Sequence, residues 1–102
     1  MITQIRHTGI TVQNLEKCLN FFVDKLGVQI VKRMDESGDY IDAMHNLSGV
    51  VVTTVKIEAP DGNIIELLKF KSHKVEDDES WSGKIYSTGL THLAERFTFK
   101  PL

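Results

Sequence analysis

The sequence predicts an α+β domain with the element order βαβββ, followed by one extra C-terminal strand. One run with helical periodicity is preceded by a strand-like run and followed by three more, separated by turns that contain glycine or proline. The 102 residues suffice for one compact domain and not for two. We therefore expect a single mixed sheet that packs against one principal helix.

The first strand and the helix have the clearest patterns. Residues 4–12 alternate as a strand does, with His7 and Gly9 on one face and Ile10 on the other. Residues 15–26 then place apolar side chains along one helix face, after Asn14 as the N-cap and before Gly27 as the stop signal. Cys18 belongs to this apolar face, and we interpret it as a small buried hydrophobe.

The later elements are shorter. We predict a strand over 28–34, a polar turn over 35–39, a strand over 50–59, a turn over 60–63 and a strand over 64–70. Residues 40–49 fit either a short helix or a loop that lines a pocket. The predicted organisation is a βαβββ module over 1–70, a charged linker over 71–87 and a lone strand within 88–102.

Composition excludes several classes of function. The net charge is −2 and no basic stripe is present, so we expect no nucleic-acid partner. The longest apolar run is far shorter than the roughly 18 residues of a membrane span, and the strand-like N-terminus resembles no signal peptide. A single cysteine fits a reducing compartment, so the expected location is cytoplasmic.

Glu66 is the most informative residue, because it interrupts an apolar strand. A buried, unpaired carboxylate there would cost several kcal/mol, so a metal, a basic partner or solvent must compensate. The plainest alternative is an edge strand with one face in water. His7 and Glu66 on one sheet surface would be ligands suited to Zn, Ni, Co, Mn or Fe, although a strand histidine is more often a hydrogen-bonded structural residue than a ligand. A catalytic metal needs three or four ligands, and His92 is the candidate third.

Four further residues are candidates for a small-molecule pocket. Gly9 leaves open space beside His7. Tyr40 and Met44 lie in the segment that is either a helix or a pocket-lining loop, and Trp81 is an aromatic residue in an otherwise charged linker. His45 and His73 lie in loop-like segments, where we expect them to be solvated.

Two motifs resemble the vicinal-oxygen-chelate superfamily, which contains glyoxalases, bleomycin resistance proteins and extradiol dioxygenases. Residues 7–12 read HTGITV before the helix, and residues 60–67 read PDGNIIEL, similar to that superfamily's hairpin motif. Residues 88–94, TGLTHLA, resemble the start of its second module. The resemblance covers residues 1–94.

The resemblance implies a strongly curved mixed sheet that forms half of a cup. Two modules, in one chain or two, complete the cup around a divalent metal, each giving a histidine from its first strand and a glutamate from its fourth. By that correspondence His7, Glu66 and His92 are metal ligands. The metal acts as a Lewis acid on an enolate or enediolate, or activates dioxygen, and Glu66 also serves as the catalytic proton carrier.

Residues 95–102 depart from the family, since the second module's helix, remaining strands and glutamate have no counterpart in this sequence. A natural half-length protein, a frameshifted remnant and a shortened piece all fit this pattern. A single module leaves its cup face uncovered, so we expect a homodimer. Either the first strands meet across a two-fold axis, or the strand near 90–97 exchanges with the partner.

Three functions follow from these observations. The first is a metal-dependent lyase or isomerase that acts on a small molecule as a dimer. The second is a metal-free small-molecule binding protein of the bleomycin-resistance kind. The third is an inactive half-length remnant.

Overall fold

The computed structural model describes residues 1–75, and these residues form an open four-stranded mixed sheet with helices. The α+β prediction and its order of four strands with a helix after the first are confirmed, and a second helix lies between the second and third strands. The extra C-terminal strand lies outside the described residues. The elements are β1 (Thr8–Thr11), α1 (Leu15–Leu19) with a π-helical continuation (Asn20–Lys25), β2 (Gln29–Ser37), α2 (Asp39–His45), β3 (Val51–Glu58) and β4 (Ile64–Phe70). No helix in this part of the chain is long and apolar enough to cross a membrane.

The sheet has the order β1-β4-β3-β2. Strands β1 and β4 are parallel, and the other two neighbouring pairs are antiparallel. Strand β4 is therefore central, and Glu66 lies opposite Gly9 on one side and Lys56 on the other. The interpretation of this strand as a solvated edge is wrong, because both of its sides are hydrogen-bonded within the sheet.

The core lies between α1 and one face of the sheet. Leu15 and Leu19 pack against the fully buried Val55, Ile57 and Leu67 of the two central strands. Cys18 is partly buried against the same cluster, which agrees with its interpretation as a small hydrophobe. The opposite face of the sheet carries Glu66 and is not covered by α1.

The first strand is shorter than predicted, beginning at Thr8 rather than at residue 4. Its ladder begins with Thr8 opposite Ile65, and β4 itself begins at Ile64. A parallel partner therefore exists only from about His7 onward. Within the described part of the chain, residues 1–6 have no strand beside them, and Ile2 and Ile5 are exposed.

Two other boundaries differ from the prediction. The predicted helix over 15–26 is α-helical only to Leu19 and π-helical from Asn20 to Lys25, where the Leu26 N–H donates to the Phe21 carbonyl. The predicted polar turn over 35–39 is wrong for its first three residues. These residues extend β2, because β3 is long enough to pair with them.

The two remaining ambiguities concern the connections. Residues 39–45 form α2, which ends at the left-handed Asn46, so the helical alternative for residues 40–49 is confirmed. The turn over 60–63 forms as predicted, with Gly62 at φ +87° and its N–H donating to the Ala59 carbonyl. Asp61 accepts from the Asn63 backbone and side-chain N–H groups, and these bonds lower the pKa of its carboxyl group.

Candidate functional site

A cleft of about 640 Å³ lies between α2, the C-terminal half of β2 and the sheet face opposite α1. Apolar and ionisable side chains both line it. They are His7, Met34, Asp35, Glu36, Ser37, Tyr40, Ile41, Met44, Lys56 and Glu66. A concave surface of this mixed character is typical of small-molecule sites.

Glu66 is the centre of the polar part of the cleft. Its Oε2 atom lies 3.8 Å from His7 Nε2 and 4.0 Å from Lys56 Nζ. The Glu66 side chain is only 15% exposed, whereas those of His7 and Lys56 are 37% and 34% exposed. One carboxylate oxygen is therefore close to both a ring nitrogen and an ammonium group.

The sheet register explains why these three side chains meet. Lys56 and Glu66 are antiparallel partners on β3 and β4, so their side chains emerge on the same face. His7 immediately precedes β1, which runs parallel to β4 with Gly9 opposite Glu66. Alternation along β1 then places His7, two residues earlier, on the face of Glu66.

The cleft contains more negative than positive charge. Glu36 and Glu66 line it with the ammonium group of Lys56, whereas the carboxylate of Asp35, which also lines it, forms an ion pair with Lys71. The Thr53 hydroxyl donates to Asp35 at 2.6 Å and Lys71 Nζ lies 3.4 Å away, and these groups lower the pKa of the Asp35 carboxyl group. The arrangement favours a cationic occupant over an anionic one.

The Asp42 side chain links α2 to the two residues that precede β3. Its carboxylate accepts hydrogen bonds from the Val50 N–H at 2.8 Å and the Gly49 N–H at 3.0 Å, which lower its pKa. The same helix presents Tyr40 and Met44 to the cleft. This anchor therefore helps to hold the apolar wall of the cleft.

The structure brings together four of the predicted site residues, His7, Glu66, Tyr40 and Met44. Gly9 shares the face of Glu66 but does not line the cleft, and a Cβ there would lie 3.3 Å from Leu68 Cδ1. Trp81 and His92 lie outside the described residues, and their predicted roles stay predictions.

His45 differs from its predicted solvated state. The residue is half-buried, its ring packs edge-on against Phe70, and Nδ1 lies 2.9 Å from the Ile41 carbonyl oxygen. His45 closes α2 rather than lying in a loop, and this position in the helix brings it against the sheet.

Sequence reasoning missed Lys56, Glu36 and Met34 as cleft residues. For Lys56 a signal was present, because the turn over 60–63 pairs Glu58 with Ile64 and hence Lys56 with Glu66. Glu36 and Met34 could not be placed while residues 35–39 were interpreted as a turn.

His7 and Glu66 fit two positions of a metal centre. Two ligands that share one ion at about 2.0–2.2 Å lie roughly 3.0–3.4 Å apart, so the observed 3.8 Å needs only a small closing movement. Within residues 1–75 no third histidine, cysteine or carboxylate joins them in a metal-binding group. The described part of the chain therefore offers an incomplete set of ligands.

The family model of the Glyoxalase/Bleomycin resistance protein/Dioxygenase superfamily matches residues 4–95. No curated protein matches the sequence.

Among solved structures, a glyoxalase family protein from Bacillus cereus is similar, with a TM-score of 0.76 and 21% sequence identity. The match covers 88% of this chain and 60% of that protein. At this identity the likeness concerns the fold. The matched region is less than two thirds of the length of that protein.

Proposed function

This chain belongs to the Glyoxalase/Bleomycin resistance protein/Dioxygenase superfamily, and on that premise we propose that it is a metal-dependent lyase or isomerase for a small molecule. The observation that carries the proposal is the His7–Glu66 pair, whose nitrogen and oxygen lie 3.8 Å apart inside a cleft. A neutral imidazole and a carboxylate are ordinary ligands of Zn, Ni, Co, Mn and Fe ions.

The charge of the cleft supports the same function. A divalent cation offsets the excess of carboxylates over ammonium groups along the cleft wall. The partial burial of Glu66 strengthens this preference, because a carboxylate removed from water needs a cation nearby.

Four residues of the cleft have definite roles in this proposal. A bound divalent ion supplies Lewis-acid polarisation of substrate oxygens. His7 and Glu66 would hold it, and the Glu66 carboxylate would accept and return a substrate proton. Tyr40 and Met44 provide the apolar surface that positions the substrate and excludes water.

A second copy of the chain completes the site in this proposal. Two ligands hold a catalytic metal poorly. On the same side of the sheet Tyr40 is 77% exposed and Met44 is 61% exposed, which leaves apolar surface for a second chain to cover. Pairing two chains about a two-fold axis brings a second His7 and Glu66 to one metal. In the alternative, strand-exchanged pairing, His92 of the other chain is the third ligand.

The first test measures metal content and solution mass together after dialysis against mixed divalent ions. We expect a mass of twice the 11.6 kDa chain and a near-stoichiometric metal. E66A should retain roughly a tenth of that metal or less. The matched control is E16A, which removes an exposed carboxylate paired with Arg33 on the other side of the sheet.

The variants also separate the two pairings. One metal per dimer that survives H92A favours a site shared on the two-fold axis, whereas loss of metal in H92A favours strand exchange. Full metal occupancy in E66A would refute the assignment of Glu66 as a ligand.

The apolar lining favours a second candidate, a metal-free binding protein. Met34, Tyr40, Ile41 and Met44 together give the cleft a flexible hydrophobic wall. This candidate expects organic cations to change the emission of Trp81, the single tryptophan, in protein stripped of metal with a chelator. An unchanged Trp81 signal across a broad ligand panel would count against it. If neither metal nor ligand binds to a folded chain, the inactive remnant is the remaining interpretation.

A further inference from the structure

Four residues form a row across the sheet on its cleft face. Gly9, Glu66, Lys56 and Lys32 are successive register partners on β1, β4, β3 and β2. Lys56 therefore lies between a carboxylate on one side and another ammonium group on the other. This arrangement gives the Lys56 side chain a preferred direction.

Electrostatic interactions favour a position of the Lys56 ammonium group near Glu66 rather than near Lys32. Like charges directly opposite on neighbouring strands repel, so Lys32 disfavours any position of the Lys56 ammonium near β2. Glu66 attracts it, and the observed distance from Nζ to Oε2 is 4.0 Å. About two thirds of the Lys56 side chain is removed from solvent, which weakens the screening of this attraction.

The oxygen approached by Lys56 is the one that also faces His7. Glu66 Oε2 lies 3.8 Å from His7 Nε2 and 4.0 Å from Lys56 Nζ. A divalent ion bound between His7 and Glu66 would therefore lie beside the ammonium group. A divalent ion and an ammonium group that both approach one carboxylate oxygen repel each other strongly in a partly desolvated site.

We infer that Lys56 is a built-in cation that competes with the divalent metal for Glu66. The inference rests on the proposed function, since it concerns the same His7–Glu66 site and adds the residue that sets its affinity. Lys56 neutralises Glu66 when metal is absent and must withdraw from the carboxylate when metal binds. The lysine thus lowers metal affinity while it stabilises the empty site.

The test compares metal affinities of full-length variants at one fixed pH, with Zn²⁺ or Co²⁺ as the probe and calorimetry as the readout. K56M keeps the length and apolar stem of the side chain but removes its charge. We expect it to bind the metal about three- to tenfold more tightly than the wild type. K56R retains a cation and should bind no more tightly than the wild type.

The matched control is K69M, which removes one positive charge from β4 on the other face of the sheet, where Lys69 pairs with Thr53. It should leave the metal affinity within about twofold of the wild type. Circular dichroism spectra verify that every variant is folded.

The outcomes distinguish this inference from the proposed function. Equal or weaker binding by K56M, with the wild type binding metal, overturns the role of Lys56 and leaves the metal site intact. Binding by K56M alone supports competition by Lys56 and shows that the wild-type chain excludes metal. Absence of metal binding in both folded proteins overturns the inference and the proposed function together.

Discussion

Glu66 is the residue that most clearly marks the candidate site in the amino-acid sequence. It stands in the apolar run Ile64–Phe70, where a carboxylate requires compensation. The structure supplies that compensation through His7 and Lys56, on a central strand rather than at an edge. The residue that violates the strand pattern is the one around which the cleft is organised.

Burial at single residues sets the stability of the sheet. Leu67 of β4 is fully buried in the core beneath α1, so we expect Leu67→Ala to lower the free energy of unfolding by about 2–5 kcal/mol. Urea denaturation measures this change. Leu47→Ala, at a side chain 42% exposed, is the control and should lower it by less than about 1 kcal/mol. Equal losses in the two variants would contradict the described core.

Asp42 should make stability depend on acid pH. Hydrogen bonds from Val50 and Gly49 lower its pKa below the ordinary 3.8. A depressed folded pKa gives stability that is fully present above the unfolded pKa and is lost as pH falls from about 3.8 through the folded value. We expect Asp42→Asn to lower the urea midpoint at pH 7 and to flatten its decline below pH 4.

The control for this pH profile is Asp24→Asn on the π-helical segment. The side chain of Asp24 is exposed and forms no hydrogen bond or ion pair within residues 1–75, so its replacement should leave the urea midpoint at pH 7 unchanged. A wild-type profile in Asp42→Asn would show that the Asp42 anchor contributes nothing to folding.

At the scale of elements, the turn over 60–63 determines the β3–β4 register and hence the meeting of Lys56 with Glu66. Gly62 has φ +87°, and a Cβ there would contact nothing within 4 Å. Gly62→Ala should therefore cost about 1–2 kcal/mol of unfolding free energy through backbone strain alone.

Asn46 provides the converse test in the same denaturation experiment. It is the single non-glycine residue with positive φ among residues 1–75, at +53° after α2. Asn46→Gly should leave the unfolding free energy unchanged or raise it by less than about 1 kcal/mol. A stabilising Gly62→Ala would contradict the described turn geometry.

The elements α1 and α2 lie on opposite faces of the sheet and have different roles. The helix α1 buries Leu15 and Leu19 against the core, whereas α2 contributes Tyr40 and Met44 to the cleft. Substitutions on the inner face of α1 should therefore act on stability. Those at Tyr40 and Met44 should act on ligand binding with little loss of stability.

At the scale of the whole molecule, the incomplete ligand set links function to assembly. If a second chain completes the metal site, metal and dimer must be thermodynamically coupled. We expect added Zn²⁺ to lower the dimer dissociation constant by at least about tenfold, measured by sedimentation across a concentration series. E66A should show no such response to Zn²⁺, while E16A should behave as the wild type. A dimer that ignores Zn²⁺ in the wild type would separate assembly from the metal site.

The sequence by itself determined the class of fold, the helix face and the hairpin. Periodicities of 2 and 3.6 residues are local properties, and so are the turn preferences of residues 60–63. Local physics also indicated Glu66, since a carboxylate in an apolar strand needs compensation wherever that strand lies. These predictions required no knowledge of which strands are neighbours.

Only the tertiary structure decided which strand is central, how long β1 and β2 are, and which side chains share the cleft. Strand length depends on the partner: β1 begins where β4 can pair with it, and residues 35–37 are extended because β3 lies beside them. Lys56 joins Glu66 through a register across two strands, and Tyr40 joins them through the packing of α2. Such contacts between residues distant in sequence arise from strand pairing and packing, which no local pattern contains.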